Sequence, residues 1–244
     1  MTFPQFIDKH LHESLFTPED YLKYRKIKVK GFPRKILLVY QQKLEKYFIK
    51  KYNPNKIKLA GLIDLLVYKD ICVVRMKGIG APHATTVFEE LIGMGAKIFL
   101  NIGTAGGLHK SLRDEGTSHH YLAHDKFSYP DNNLTEQFKT HLSKMNINHS
   151  VGSTWTIDAP YRETKKEVEH YTNEGISTVE MEASALFAVA KYRNVKIASA
   201  FVVSDVIGKK WDPKFDEFDV KKAQYSLLDA SVSFLIKQNY YKQK

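Results

Sequence analysis

One stretch decides the fold of this chain: residues 177–208, STVEMEASALFAVAKYRNVKIASAFVVSDVIG. It predicts a short strand, then a helix, then a second apolar strand that ends at Ser204-Asp205. Apolar residues recur through the helix with a period near 3.6, at Met181, Ala185, Leu186, Val189 and Tyr192. Residues 196–203 are β-branched and apolar, which is typical of a strand buried on both faces. The unit therefore predicts an α/β sheet.

Carboxylates stand at the ends of both predicted strands. Glu180 and Glu182 flank Met181 where the helix begins, and Asp205 follows the second strand directly. Ligands of open α/β sheets bind at the carboxyl ends of the strands, so we expect these residues to form the walls of an active site. A lone glutamate in a first helical turn is explained by the helix dipole alone. Two glutamates followed one strand later by Ser-Asp are harder to explain in that way.

The rest of the chain alternates predicted strands and helices. Strands are predicted at residues 35–40, 62–68, 70–76, 96–102 and 118–123, and helices at 21–28, 41–52, 84–94, 134–145, 162–171 and 220–236. There is no internal repeat and no linker between two halves. We therefore expect a single domain over residues 1–244, with an N-terminal extension and helix (1–34), a core (35–236) and a tail (237–244), built on one sheet covered by helices on both sides.

Two glycine-rich loops follow predicted strands, KGIGAPH at 77–83 and GTAGG at 103–107. Glycine lets a backbone approach an anion closely, and a helix N-terminus offers free N–H groups. One such loop is weak evidence. Two of them at the carboxyl ends of strands predict an oxyanion or sugar pocket.

The composition narrows the class of partner. The net charge of +10 favours anionic partners such as phosphate or nucleotides. However, the lysines are scattered and no nucleic-acid-binding module accompanies them, so we expect no nucleic-acid partner. Cys72 is the only cysteine, which rules out an internal disulfide and a C-x-x-C metal site. The histidines around residues 119–124 lack a standard ligand spacing, so no metal is expected.

The chain shows no apolar run of signal-peptide length at its start and no stretch of 18 apolar residues. We therefore expect a cytoplasmic protein without a membrane partner.

Five short motifs, taken in order, resemble those of the nucleoside phosphorylase and nucleosidase superfamily, which includes purine nucleoside phosphorylases, uridine phosphorylases and methylthioadenosine/S-adenosylhomocysteine nucleosidases. They are GxGxP at 78–82, IGTAGGL at 102–108, DxPY at 158–161, VEMEA at 179–183 and SD at 204–205. The resemblance implies an α/β phosphorylase/hydrolase-like fold, a twisted mixed sheet flanked by helices on both sides. It also implies a homo-oligomer (dimer, trimer or hexamer) and no cofactor, with phosphate as co-substrate.

The same resemblance implies roles for individual residues. Met181 packs against the sugar, and Glu182, with Glu180 beside it, accepts hydrogen bonds from the ribose hydroxyls as positive charge develops. Asp205 is the catalytic acid that protonates a purine N7. Further base contacts are expected from Trp155, Tyr161 and Ser204. A histidine lent by a neighbouring subunit, His10 or His12, is expected to contact the ribose.

The departures from the family pattern concern the phosphate. Phosphorylases hold it with three arginines, and this chain has QQK at 41–43, Asn101 and KD at 69–70 in their places. The run from Asn101 to Leu108 instead resembles the NTGSAGGL of the nucleosidases, which use water. Their glutamate base has only a poor counterpart, Glu45. Substitute phosphate ligands are available at Gly80, Gly103, Thr104, Lys77 and His83, with Arg75 nearby.

We therefore expect a nucleoside phosphorylase that leans to purines because of Asp205. A phosphate-independent nucleosidase is the near alternative. A nucleoside-binding protein without turnover is a third, although the presence of both Glu182 and Asp205 argues against it.

Overall fold

A computed structural model describes residues 9–27, 31–58, 63–108, 113–114, 120–121, 127–208 and 210–238. The described strands are β1 Lys35–Val39, β2 Asn55–Lys58, β3 Asp64–Tyr68, β4 Ile71–Arg75, β5 Ile98–Gly107, β6 Arg113–Asp114, β7 Thr154–Thr156, β8 Thr178–Glu180, β9 Lys196–Ile207 and β10 Trp211–Pro213. The helices are α1 Pro18–Tyr24, α2 Gln42–Tyr52, α3 Ala81–Gly93, α4 Asn132–Lys144, α5 Lys165–Asn173, α6 Ala183–Tyr192 and α7 Phe218–Lys237.

The strands form one mixed sheet in the order β2-β3-β4-β1-β5-β8-β7-β6, with β9 paired to β5 and β10 paired to β9. β4, β1, β5 and β9 are parallel, as expected for strands joined by crossover helices. β3 and β10 are antiparallel to their neighbours, β4 and β9. The predicted α/β class with a mixed sheet is therefore confirmed.

The sheet divides along β5. Residues 98–102 of β5 pair in parallel with β1, whereas Gly106 and Gly107 pair antiparallel with β8. The other edge of β5 pairs with β9 along its whole length. Along one edge, β5 thus pairs first with β1 and then with β8. This arrangement places the ends of β8 and β9 on the two sides of the same segment of β5.

Gly106 allows this close approach. A Cβ atom at Gly106 would lie 2.8 Å from Cδ1 of Ile207 and 3.1 Å from Cγ1 of Val179. The register between β5 and β9 also shifts between Ala105 and Gly106, a local irregularity that is common where a sheet bends next to a site.

Helices cover both faces of the sheet, as the alternation of side chains along β1 requires. Ile36 and Leu38 belong to the hydrophobic cluster that contains buried residues of α3 and α6. Leu37 and Val39 belong to the opposite cluster, which contains buried residues of α2, α4 and α7. All four are fully buried. The run of apolar residues in β1 is therefore the pattern of a strand with both faces covered.

Four short strands of the sheet, β2, β6, β7 and β10, were not predicted from the sequence. β2 follows the Asn-Pro turn after α2, and β10 lies in a segment that reads as a polar loop. β5 and β9 also extend several residues beyond their predicted ends. The strand predicted at 118–123 lies almost entirely outside the described residues.

The contact between Phe88 of α3 and Phe99 of β5 tests this packing. Both rings are fully buried, with centroids 4.3 Å apart. We expect Phe88→Ala to lower the free energy of unfolding by about 3–5 kcal/mol, because it leaves a cavity. The control Phe218→Ala removes a ring that is 77% exposed and should change stability by less than about 0.5 kcal/mol. Urea unfolding followed by circular dichroism measures both, and equal effects would contradict the packing described.

Candidate active site

The predicted site residues of β8 and β9 lie at the edge where the sheet divides. Glu180 ends β8, and Asp205 lies near the end of β9. Gly106 of β5 pairs with Asp205 on one side and with Val179 on the other. The two carboxylates therefore come from strands that flank the same glycine.

Glu180 holds the N-terminus of α6. Its Oε2 accepts the backbone N–H groups of Glu182 and Ala183, each at 2.7 Å, and its Oε1 accepts the Thr156 hydroxyl at 2.5 Å. The Thr156 oxygen in turn accepts the N–H of Ser184 at 3.1 Å. Burial, followed by the nearby charge of Glu182, raises the pKa of Glu180 to about 8. Glu180 thus satisfies the first free amides of the helix, directly through Oε2 and by way of Thr156 through Oε1.

Glu182 connects α6 to the first glycine loop. Its Oε1 accepts the N–H of Gly80 at 2.7 Å, and only 8% of the residue is exposed. Burial raises the pKa of Glu182, against the lowering effect of the Gly80 and Met181 amides. Gly80 has φ +88°, a backbone conformation that favours glycine. The N–H predicted to meet phosphate is therefore already donated to the carboxylate predicted to meet ribose.

Tyr40 adds a hydroxyl that the sequence did not single out. Its ring packs on Gly103, where a Cβ atom would lie 3.3 Å from Tyr40 Cδ2. Burial and then the charges of Glu182 and Glu180 raise the pKa of Tyr40 well above its ordinary value. Within the described residues its buried hydroxyl has no hydrogen-bond partner. A buried hydroxyl with hydrogen-bonding capacity to spare thus lies within electrostatic reach of Glu180 and Glu182.

Asp205 is held by two side chains. Its Oδ1 accepts the Ser204 hydroxyl at 2.9 Å and its Oδ2 accepts the indole N–H of Trp211 at 2.8 Å. Ser204 and Asp205 are 1% and 6% exposed, whereas Trp211 is 63% exposed. Trp211 reaches Asp205 because β10 folds back antiparallel on β9. A Gly208 turn followed by an aromatic residue was the only sequence signal for this hairpin.

Glu163 is a carboxyl group near the site that the sequence did not single out. It follows the short helical turn Pro160–Arg162 and is half-buried. Burial, then the charge of Asp205 and then that of Glu167 raise the pKa of Glu163 to about 7. Glu163 therefore lies within electrostatic reach of Asp205.

The second glycine loop places Thr104 beside a side chain that follows β1. Gln41 Nε2 donates to the Thr104 hydroxyl at 3.2 Å. The Oε1 atom of Gln41 is buried, and the described residues offer it no hydrogen-bond partner. Gln41 and Thr104 therefore bring polar but uncharged groups to the place where we expected an anion to bind.

The nearby cations are paired within the chain. Arg75 Nε lies 2.7 Å from Glu45 Oε2, and Lys77 Nζ lies 3.6 Å from Asp64 Oδ2. Glu45, the poor candidate for a nucleosidase base, is therefore an ion-pair partner of Arg75.

His83 is occupied in a similar way. Its Nε2 accepts the N–H of Gly78 at 3.0 Å. As placed, His83 holds the glycine loop, and this nitrogen is not available to donate to an anion.

The residues expected to contact a base are spread out. Trp155 is fully buried with its ring centroid 4.3 Å from that of Tyr171, so it packs in a core cluster and lines no open cleft. Met181 is half-buried against the same cluster. Tyr161 is fully exposed. Their predicted contacts with sugar or base remain predictions.

The N-terminal histidines lie elsewhere in this chain. His12 lines a cleft of about 790 Å³ between the N-terminal segment and α3, and neither Glu182 nor Asp205 lines that cleft. His10 lies in the short helical turn Lys9–Leu11, and its side chain falls outside the described residues. Whether a neighbouring subunit receives either histidine stays a prediction.

The described residues contain no group of three or more acidic, histidine or cysteine side chains placed to hold a metal. They also contain no helix long and apolar enough to cross a membrane.

The fold and the site together define a class: an α/β protein with buried carboxylates and glycine loops at the strand ends of a mixed sheet. Residues 65–234 match the model of one family, described as the phosphorylase superfamily. The chain belongs to this superfamily of nucleoside phosphorylases and nucleosidases. Nucleoside phosphorylases of the family bind nucleoside and phosphate, with phosphate as co-substrate, and need no cofactor.

Named relatives include two phosphorylases of purine nucleosides. The chain is 26% identical over 204 residues to purine nucleoside phosphorylase DeoD-type 1 of Shewanella oneidensis, covering 78% of this chain and 84% of the relative. It is 27% identical over 138 residues to guanosine phosphorylase of Halorubrum lacusprofundi, covering 52% of this chain. That second match spans little more than half, 57%, of the relative's length.

Solved structures show the same fold. Purine nucleoside phosphorylase from Toxoplasma gondii, in complex with immucillin-H, matches with a TM-score of 0.73 at 16% identity, over 84% of this chain and 91% of that one. AMP nucleosidase from Bacteroides thetaiotaomicron matches with a TM-score of 0.71 at 18% identity, over 92% of this chain and 100% of that one. The shared architecture therefore includes both phosphorylases and a nucleosidase.

Thr156 offers a test of how the site is supported. We expect Thr156→Ala to lower the free energy of unfolding by about 1–3 kcal/mol, because it leaves the buried Ser184 amide and Glu180 Oε1 without their partner. Thr156→Ser retains the hydroxyl and should recover most of the loss. Urea unfolding of the two variants measures the difference, and equal destabilisation by Ala and Ser would show that the hydroxyl is not what matters.

Proposed function

We propose that this protein is a nucleoside phosphorylase that cleaves the N-ribosidic bond of a purine nucleoside with phosphate, giving the free base and ribose 1-phosphate. One observation carries the proposal: Glu182 and Asp205 are both buried, Glu182 at the start of α6 just after β8 and Asp205 near the end of β9, and β8 and β9 flank the dividing strand β5. The named relatives support the reaction class.

Glu182 is the proposed ribose ligand. Cleavage builds positive charge on the ribose, and a buried carboxylate stabilises that charge more strongly than one in water. The Gly80 amide fixes the position of its Oε1. Glu180 has both oxygens engaged by the helix and by Thr156, so we assign it to holding the Glu182 turn and not to binding the sugar.

Asp205 and Ser204 are the proposed groups at the base. As the bond from C1′ to the base nitrogen breaks, its electron pair goes to the base, which then takes up a proton at N7. Trp211 is exposed beside Asp205, so its ring also offers a surface on which a flat base can pack.

Thr104, Gly103 and Gln41 are the proposed phosphate contacts. Gln41 Nε2 and the Thr104 hydroxyl supply neutral donors, and a phosphate oxygen then attacks C1′. Lys77 and His83 would add to this site only after leaving Asp64 and the Gly78 amide.

Hydrolysis is the second candidate, and one observation favours it. Each cation that we expected near the anion site is already engaged by an acid within the chain, Arg75 by Glu45 and Lys77 by Asp64. A site whose two expected cations are already paired suits water better than a phosphate dianion.

The first experiment measures base release from inosine, guanosine, adenosine, uridine and methylthioadenosine, each with and without millimolar phosphate. The proposal expects turnover of a purine nucleoside that requires phosphate and forms ribose 1-phosphate. Turnover that ignores phosphate and yields free ribose would replace it with the nucleosidase. Binding without turnover of any nucleoside would leave a binding protein.

A substitution at Glu182 tests the ribose contact. Glu182→Gln should lower kcat/KM for the preferred ribonucleoside roughly 10- to 100-fold, because a neutral amide replaces a charged acceptor. The loss of kcat/KM should be smaller for the matching 2′-deoxynucleoside, which lacks one of the ribose hydroxyls that would donate to Glu182. Glu136→Gln, an exposed charge on α4, is the control and should not change activity. Equal losses on the two sugars would argue against a contact with the 2′-hydroxyl.

A further inference from the structure

Asp205 lies where β9 departs from a regular strand. β9 pairs with β5 residue by residue as far as Val203, and the register then shifts so that Asp205, and not Ser204, lies opposite Gly106. An irregularity of this kind changes the direction of a side chain and is common next to active sites. Gly106 has no side chain that could hold the redirected carboxylate. The orientation of Asp205 therefore depends on contacts made outside β5.

Trp211 supplies the contact that comes from another strand. Its indole N–H donates to Asp205 Oδ2 at 2.8 Å, while the hydroxyl of the neighbouring Ser204 donates to Oδ1 at 2.9 Å. Ser204 belongs to the same irregular segment as Asp205, so its hydroxyl alone does not fix the carboxylate relative to the rest of the sheet. Trp211 lies on β10, so its hydrogen bond ties the carboxylate to a second strand.

The hairpin of β9 and β10 explains how Trp211 reaches this carboxylate. Trp211 pairs with Ile207, and Pro213 pairs with Asp205. Trp211 and Asp205 are therefore diagonal neighbours on one face of an antiparallel pair, a separation that long aromatic side chains can span. Ile207 packs against the buried cluster that also contacts Met181, the expected sugar contact. The strand pairing therefore anchors the indole to the part of the core beside the site.

The two donors on Asp205 differ in what they allow. An indole nitrogen only donates, whereas a serine hydroxyl both donates and accepts. Trp211 therefore keeps Oδ2 as an acceptor. Oδ1 is the oxygen that can carry a proton, because the Ser204 hydroxyl can turn to accept from it. The Trp211 ring is largely exposed, so the core does not depend on it and variants at this position should fold.

We propose that Trp211 is the positioning residue for acid catalysis by Asp205: its N–H holds Oδ2, so that Oδ1 carries the proton to the leaving base. This inference rests on the proposed function. As the bond between C1′ and the base breaks, its electron pair moves to the base and the proton passes from Oδ1 to N7. A phosphate oxygen forms the new bond to C1′. Asp205 is left as a carboxylate that accepts from both donors, and it regains a proton from solvent.

The first test needs no substrate. The chain has two tryptophans, so its ¹H–¹⁵N spectrum should show one indole signal from each, and Trp155→Phe assigns them. Although Trp211 is exposed, its indole proton should exchange with water roughly 10-fold or more slowly than that of free tryptophan, because it is donated to a carboxylate.

Asp205→Ala should shift the Trp211 signal and remove the slow exchange. The signal of the fully buried Trp155 is the internal control and should stay in place. Exchange in the wild-type protein as fast as in free tryptophan, or a Trp211 signal unmoved by Asp205→Ala, would overturn the inference.

The second test separates the N–H from the ring. Trp211→Phe retains a flat ring without the N–H, and Trp211→His retains an N–H at the equivalent position of its five-membered ring. On a purine nucleoside, Trp211→Phe should lower kcat roughly 10- to 100-fold, because a small displacement of a catalytic group is costly. Trp211→His should recover most of that loss. Phe218→Ala, which removes an exposed ring on α7, is the control and should leave kcat unchanged.

A substrate that needs no proton completes the comparison. The base of 7-methylguanosine is already cationic, so kcat on this nucleoside should hardly change in Trp211→Phe. An unchanged kcat on the purine nucleoside in Trp211→Phe, a Trp211→His variant no more active than Trp211→Phe, or equal losses on both substrates would each contradict a positioning role.

The two proposals fail in different ways. If the wild-type protein cleaves no nucleoside while the indole signals behave as expected, the proposed function fails and the hold of Trp211 on Asp205 stands. If the wild-type protein releases base with phosphate and Trp211→Phe retains kcat, the proposed function stands and the role of Trp211 fails.

Discussion

The carboxyl edge of the sheet depends on how the buried carboxylate of Glu180 is held. A carboxylate without partners is costly to bury, and here two helix amides and the Thr156 hydroxyl surround it. The positive end of α6 adds a favourable field. Because Glu180 fixes the first turn of α6, it fixes the backbone of Glu182, and the Glu182 carboxylate then fixes Gly80. A single internal carboxylate thus links β8, α6 and the loop before α3.

The division of the sheet along β5 is the second constraint. Along one edge, β5 pairs first with β1 and then with β8. Glycines at the point where the partner changes let side chains from both flanking strands come close. Val179 and Ile207 occupy the space that a side chain at Gly106 would need. β8 and β9, which carry Glu180 and Asp205, therefore flank a strand segment that presents only backbone. The glycine-rich sequence that suggested an anion loop also serves this packing.

The sequence predicted the parts of the fold that depend on local pattern. The apolar runs of β1, β4 and β9 and the period of α6 were sufficient to place these elements, and the VEMEA and SD motifs identified Glu180, Glu182 and Asp205. Tyr40, Trp211 and Glu163 could not be found in that way. Each of them joins the site through contacts between segments far apart in sequence, or across a hairpin with an irregular signal. For the same reason the pairing of Arg75 with Glu45 was not foreseen.

The absence of the family's arginines changes the electrostatics of the expected anion site. A phosphate dianion is repelled by ionised carboxylates, and the internally paired Arg75 and Lys77 do little to offset this. Glu45 and Asp64 take up these two cations, so a phosphate bound at Thr104 would be held by neutral donors such as Gln41 Nε2. Neutral donors hold a dianion less strongly than a bidentate guanidinium does. The choice between phosphorolysis and hydrolysis therefore depends on this end of the site.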